Sequence, residues 1–142
     1  MEEILELKEL LIQGQLEDAL ILVEDLEEMG NKGISNNIRS YSKVLLLHLI
    51  KQQVENRTTK SWDASIENAS AEIRYLNQRP KGKGNYLNSE ELFEVITSAW
   101  KTAVNHASTE ASEGIYEAKQ IEQMVDKLAI INRACFLVLD QE

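Results

Sequence analysis

Arg39–Val54, RSYSKVLLLHLIKQQV, is the stretch on which the fold turns. Val44 to Ile50 is apolar except for His48, and on a helical wheel the six large apolar side chains point nearly all round the axis. A helix apolar on every side is buried on every side. The run is far shorter than the ~20 apolar residues needed to span a bilayer. It predicts the buried central helix, residues 39–55, of an all-α single-domain bundle of about five or six helices.

Working outward toward the N terminus, Ile4, Leu7, Leu10 and Leu11 form a helical stripe that Gly14 ends. Leu16, Ala19, Leu20, Val23 and Leu26 form a second. The short link predicts an antiparallel helical hairpin over 2–29. Gly30 and Gly33 predict a turn between it and a bundle over 35–139.

Toward the C terminus, Asn56 to Lys60 is a polar connection and Ser61 is the expected N-cap of the next helix. Trp62, Ile66, Ala69, Ile73 and Leu76 then recur at helical spacing, and the helix must end before Pro80. Arg79 to Asn85 reads as a basic, flexible loop. Asn88 with Glu91 has the form of a capping box, opening a helix expected to continue to Glu113 and stop at Gly114. The last helix carries Ile121, Met124, Val125, Leu128, Ile131, Cys135 and Leu139. Its end, Ala134 to Leu139, is apolar on several sides and suits packing against a second subunit or a short strand, with helix favoured because the sequence offers no partner strand.

The net charge of −9 is unevenly spread. Up to Gly30 the acidic residues face Lys8 alone, the middle is basic, and the last third is acidic again. Such segregation suits docking of the hairpin on a basic surface, within or between chains. With 43% hydrophobic residues and one Pro, the composition is that of a compact helical globule. Cys135, the single cysteine, cannot form an internal disulfide and reads as a buried thiol in a reducing cytoplasm. The N terminus lacks the positive-then-apolar pattern of a signal peptide, so a cytoplasmic protein is expected.

His48-Leu49-Ile50-Lys51, followed by Ser61-Trp62 and preceded by the acidic run Glu24 to Met29 and Gly30, resembles the family called domain of unknown function 29. The longer form HLIKQQVENRTTKSW is similar to its cyanobacterial branch. The resemblance covers roughly Leu16 to Ala107 and implies a helical bundle from a bacterial, intracellular protein. It brings no activity, cofactor or catalytic residue. Where the family often has a tyrosine–proline pair, this chain has Trp100-Lys101.

Among candidate sites, His48 sits on the apolar wheel and Glu27 on a neighbouring helix. Helical bundles hold divalent metals with such Glu and His pairs, so these two are the metal-ligand candidates; a structural histidine satisfied by Glu27 or a carbonyl is the competing account. The Glu-x-x-His spacing of di-iron bundles is missing. Glu24, Asp25, Glu27 and Glu28 could perform acid–base work if desolvated, but read as a solvated face. Trp62 reads as core rather than a stacking platform. The basic middle lacks a nucleic-acid-binding motif, and the net charge opposes phosphate. No nucleophile elbow or phosphate-binding loop is present. No complete catalytic constellation emerges, so the expected role is a non-catalytic module that binds a protein partner or self-associates, with no membrane contact. The alternative is a metal-binding bundle, possibly a metal-dependent hydrolase.

Overall fold

The computed structural model describes residues 2–139, which are helical apart from turns and one isolated bridge between Gln78 and Asn85. Seven α-helices occur among the described residues: α1 (Glu2–Ile12), α2 (Leu16–Glu55), α3 (Lys60–Asn77), α4 (Ser89–Ser98), α5 (Trp100–Glu110), α6 (Ala118–Met124) and α7 (Lys127–Val138). Short 3-10 turns lie at Pro80–Gly82 and Ala111–Gly114. The chain divides into two compact units, Met1–Ile34 and Ser35–Glu142.

In the first unit, α1 ends at Gly14 in a Schellman motif. The Gly14 N–H donates to Leu11 C=O at 3.2 Å and the Gln15 N–H to Leu10 C=O at 3.0 Å. Gly14 stands at φ +75°, a conformation that glycine adopts without steric cost. The turn brings the start of α2 back beside α1, and the two share a groove. This unit contains no Trp, Tyr or Phe.

In the second unit, Ile38, Leu45, Leu46, Leu49 and Ile50 of α2 are buried, with Ile66 and Ile73 of α3 and Leu92 and Ile96 of α4. α7 packs against both α3 and α4, and α6 against α5. Thr59 caps α3 by accepting the Trp62 N–H at 3.0 Å, with Asp63 in the first turn and Arg74 in the last, as the helix dipole favours. Asn88 and Glu91 form the expected capping box of α4. Asn77, buried at the end of α3, takes the place of a backbone partner for Leu87. It accepts the Leu87 N–H at 2.8 Å and donates to the Leu87 C=O at 3.1 Å.

Several expectations are corrected. The Gly30–Gly33 turn does not form: α2 is helical through it, and neither glycine has positive φ. A glycine costs a helix only about 1 kcal/mol, too little to force a break. The central helix is therefore the C-terminal part of a longer one, and it is not buried all round, since Val44 is 41% exposed. Thr59 rather than Ser61 is the N-cap of α3. The bundle has more helices than expected because two predicted helices are broken. At Ala99 the N–H reaches back only three residues to Ile96 C=O, closing α4. At Val125 the backbone becomes extended, and Asp126 caps a new helix by accepting the Ala129 N–H at 3.1 Å. Trp100 is buried. Cys135 is half-buried, and burial raises its thiol pKa. The Arg79–Asn85 loop is tied by the bridge, by the Arg79 N–H to Gly84 C=O bond at 2.8 Å and by the Arg79 guanidinium 4.9 Å from the Tyr86 ring centre.

Candidate functional site

On the last two turns of α2, His48, Lys51, Gln52 and Glu55 follow at i, i+3, i+4 and i+7, so one face carries all four. The chain then turns through Asn56–Thr59 and brings the first turn of α3 against this face. The end of α5 and the turn at Ala111–Gly114 approach from another side.

Lys51 is the organising residue. It is only 8% exposed, an unusual state for a lysine. Its Nζ lies 3.3 Å from Glu110 Oε1 and 4.8 Å from the centre of the Trp62 ring. The carboxylate and the aromatic face together replace the water that burial removes. The Arg57 guanidinium is also near that ring, 4.9 Å from its centre, and its Nε donates to Glu55 Oε1 at 2.9 Å. The other Glu55 oxygen accepts the Ser112 N–H at 2.9 Å. Ser112 lies two residues beyond Glu110, so the contacts close a circuit through Lys51, Trp62, Arg57 and Glu55. The circuit fixes a turn in which Ser112, Glu113 and Gly114 all have positive φ. The Ser112 amide and Arg57 together hold the Glu55 carboxyl below its ordinary pKa.

His48 lies at the edge of this circuit, half-buried, with its Nδ1 buried and unpartnered. Burial lowers its pKa, and the Lys51 charge adds to this against the opposing pull of Glu110. Below the ordinary histidine pKa of 6.5 the unfolded chain takes up a proton that the folded chain resists, so acidification favours unfolding. Urea midpoints should therefore fall between about pH 7.5 and about pH 5.5, before carboxylates begin to protonate. A His48→Gln variant should show a flatter profile over that window. An equal fall in both proteins would rule out His48 as the source.

Of the two predicted metal ligands, Glu27 has a side chain that lies outside the described residues. Among the described residues no group of three or more His, Cys, Asp or Glu side chains could hold a metal ion. Beside the circuit is a cleft of about 240 Å³ lined by residues that include Gln52, Asp63, Ile66, Arg74 and Arg133. Asp63 already accepts from the Thr58 hydroxyl at 2.7 Å and the Gln52 amide at 3.4 Å, and the Arg74 guanidinium donates to the Leu137 carbonyl. Asp63 and Arg74 are thus each engaged by neutral groups of the protein, an arrangement that holds helix ends in register. Lys51 had a local signal, its place three residues after His48 in the motif that carried the resemblance. Glu110 had none, because its partner is 59 residues away.

These features define a helical-bundle protein in which a His-x-x-Lys run on one helix meets a Ser-Trp pair opening the next. The family described as Domain of unknown function DUF29 matches residues 4–127, and the chain belongs to it. The His-Leu-Ile-Lys and Ser-Trp motifs that carried the resemblance contribute His48, Lys51 and Trp62 to the site just described. No curated protein and no solved structure matches the chain. No helix among the described residues is long and apolar enough to cross a membrane.

Proposed function

We propose that this protein is a non-catalytic interaction module whose N-terminal hairpin docks on a protein surface. The observation that carries this is the exposure of the hairpin's apolar residues. Among the described side chains of the first unit only Ala19 is buried, while Ile4, Leu5, Leu11, Ile12, Leu16, Leu20 and Ile21 are each 53–75% exposed. Two helices that bury so little gain too little to offset the entropy of ordering them. So many large apolar side chains left in solvent on one short hairpin are the kind of surface that marks a docking site. In the bundle, the engagement of Lys51, Glu110, Glu55 and Arg57 with one another supports a structural rather than a chemical role for the motif residues.

Light scattering and affinity capture from the native host test this with the full chain and a Leu5→Ser/Ile12→Ser/Ile21→Ser variant. The expected result is a dimer or a stoichiometric protein complex that the variant loses while its bundle melts unchanged. A monomer that captures nothing overturns the proposal. A divalent metal held through His48 is the alternative, supported by the unpartnered Nδ1. Protein purified without chelator would then carry near-stoichiometric metal that His48→Ala loses.

A further inference from the structure

The hairpin's surface has a specific chemistry. Between α1 and the start of α2 runs a groove of about 300 Å³ lined by Glu6, Leu10, Asp18, Ile21 and Leu22. Glu6 and Leu10 are one turn apart on α1, and Asp18, Ile21 and Leu22 occupy one turn of α2. Each helix thus contributes one carboxylate and at least one large apolar side chain. The unit around the groove is strongly acidic. Residues 1–34 hold ten Asp and Glu against Lys8 and Lys32, a net charge of −8. Residues 35–142 hold fourteen acidic and thirteen basic side chains, a net charge of −1. Nearly all the net charge of the protein therefore sits on the quarter of the chain that exposes its apolar residues.

We infer that this groove receives a basic amphipathic helix of another protein, with that helix's apolar stripe on Leu10, Ile21 and Leu22 and its Lys and Arg side chains against Glu6 and Asp18. The inference rests on the interaction-module reading and names the partner's chemistry. A helix presents anchors at i, i+3/i+4 and i+7 to such a groove. Charge selects among the other occupants. A second copy of the hairpin would set −8 against −8, and nucleic acids and anionic lipid surfaces would be repelled in the same way. The chain's own basic run from Arg79 to Gly84 contains no large aliphatic side chain to cover the groove's apolar floor.

Calorimetric titration of the full chain with a synthetic leucine–lysine peptide, about five helical turns long and amphipathic, tests this directly. Saturable one-to-one binding is expected, at least tenfold tighter than for a scrambled peptide of the same composition and absent for a leucine–glutamate peptide. Glu6→Gln/Asp18→Asn should weaken binding about five- to tenfold at low salt, as two exposed ion pairs allow. That difference should shrink when salt shortens the screening length to about 3 Å at 1 M. Both replaced residues are exposed, and far-ultraviolet circular dichroism checks that the helices remain. Equal binding of the scrambled peptide, or unchanged binding by the double variant, overturns the inference. Self-association abolished by Ile21→Ser also overturns it, by making a second copy the occupant, but leaves the interaction module standing. Absence of peptide binding, self-association and any captured partner removes both.

Discussion

Trp62→Ala should lower the unfolding free energy by about 3–5 kcal/mol, the largest effect expected of a single substitution in the bundle. The indole is 9% exposed, so its removal leaves a cavity at the junction of α2 and α3. It also removes the ring face beside Lys51 and Arg57, whose charged groups lie 4.8 and 4.9 Å from its centre. Lys51 would keep Glu110, but in a site water can enter. For a unit of this size the melting midpoint should drop by roughly 10–20 °C. Trp62→Phe keeps an aromatic face and should cost roughly half as much. If the ring supports Lys51, the Lys51→Met and Trp62→Ala effects will not add, with a coupling of about 0.5–3 kcal/mol. Strict additivity would show the two to be neighbours without mutual support. A loss below about 1 kcal/mol for Trp62→Ala would mean that the site collapses onto the gap.

Asn77→Ala should cost about 2–4 kcal/mol by a different mechanism. Alanine leaves both backbone groups of the buried Leu87 without the bonds Asn77 now makes at 2.8 and 3.1 Å. Those two bonds set the spacing between the end of α3 and the capping box that begins α4. Asn77→Asp gives a sharper test. An ionised carboxylate still accepts from the Leu87 N–H but faces the Leu87 carbonyl with an acceptor, so it should be at least as destabilising as alanine near neutral pH. Protonation restores a donor, so the deficit relative to wild type at the same pH should shrink on acidification. A deficit independent of pH would mean that the Leu87 carbonyl bond contributes little.

The fold class was legible because it depends on short-range periodicity. The α3 stripe from Trp62 to Ile73, the capping box at Asn88 and the stop before Pro80 are all written within one or two turns of sequence. Helix continuity was harder to read. Gly30 and Gly33 resemble punctuation, but a glycine weakens a helix without ending it unless the backbone adopts positive φ. Ala99 and Val125 end helices although both residue types fit within one, and at Asp126 the cap alone gives a local sign of the restart. The candidate site was half legible. His48 stood out on an apolar stretch and Lys51 entered only through the motif that carried the resemblance, while the circuit depends on Glu110 and Ser112, which only the tertiary fold brings to Glu55 and Lys51. The acidic hairpin was plain in composition, whereas its groove required the Gly14 turn that lays α2 beside α1.

The placement of the aromatic residues has a spectroscopic consequence. Trp62, Trp100 and every Tyr and Phe lie beyond residue 34, so indole emission and near-ultraviolet bands arise entirely from the second unit. Both tryptophans have a cation close to the ring, Lys51 and Arg57 at Trp62 and Lys127 at Trp100, so their emission will respond to disruption of those contacts. The hairpin is optically silent in these signals and contributes only to the peptide bands of the far ultraviolet. A thermal trace followed by emission thus describes the bundle alone, and any gap between it and the far-ultraviolet trace is the signature of the hairpin.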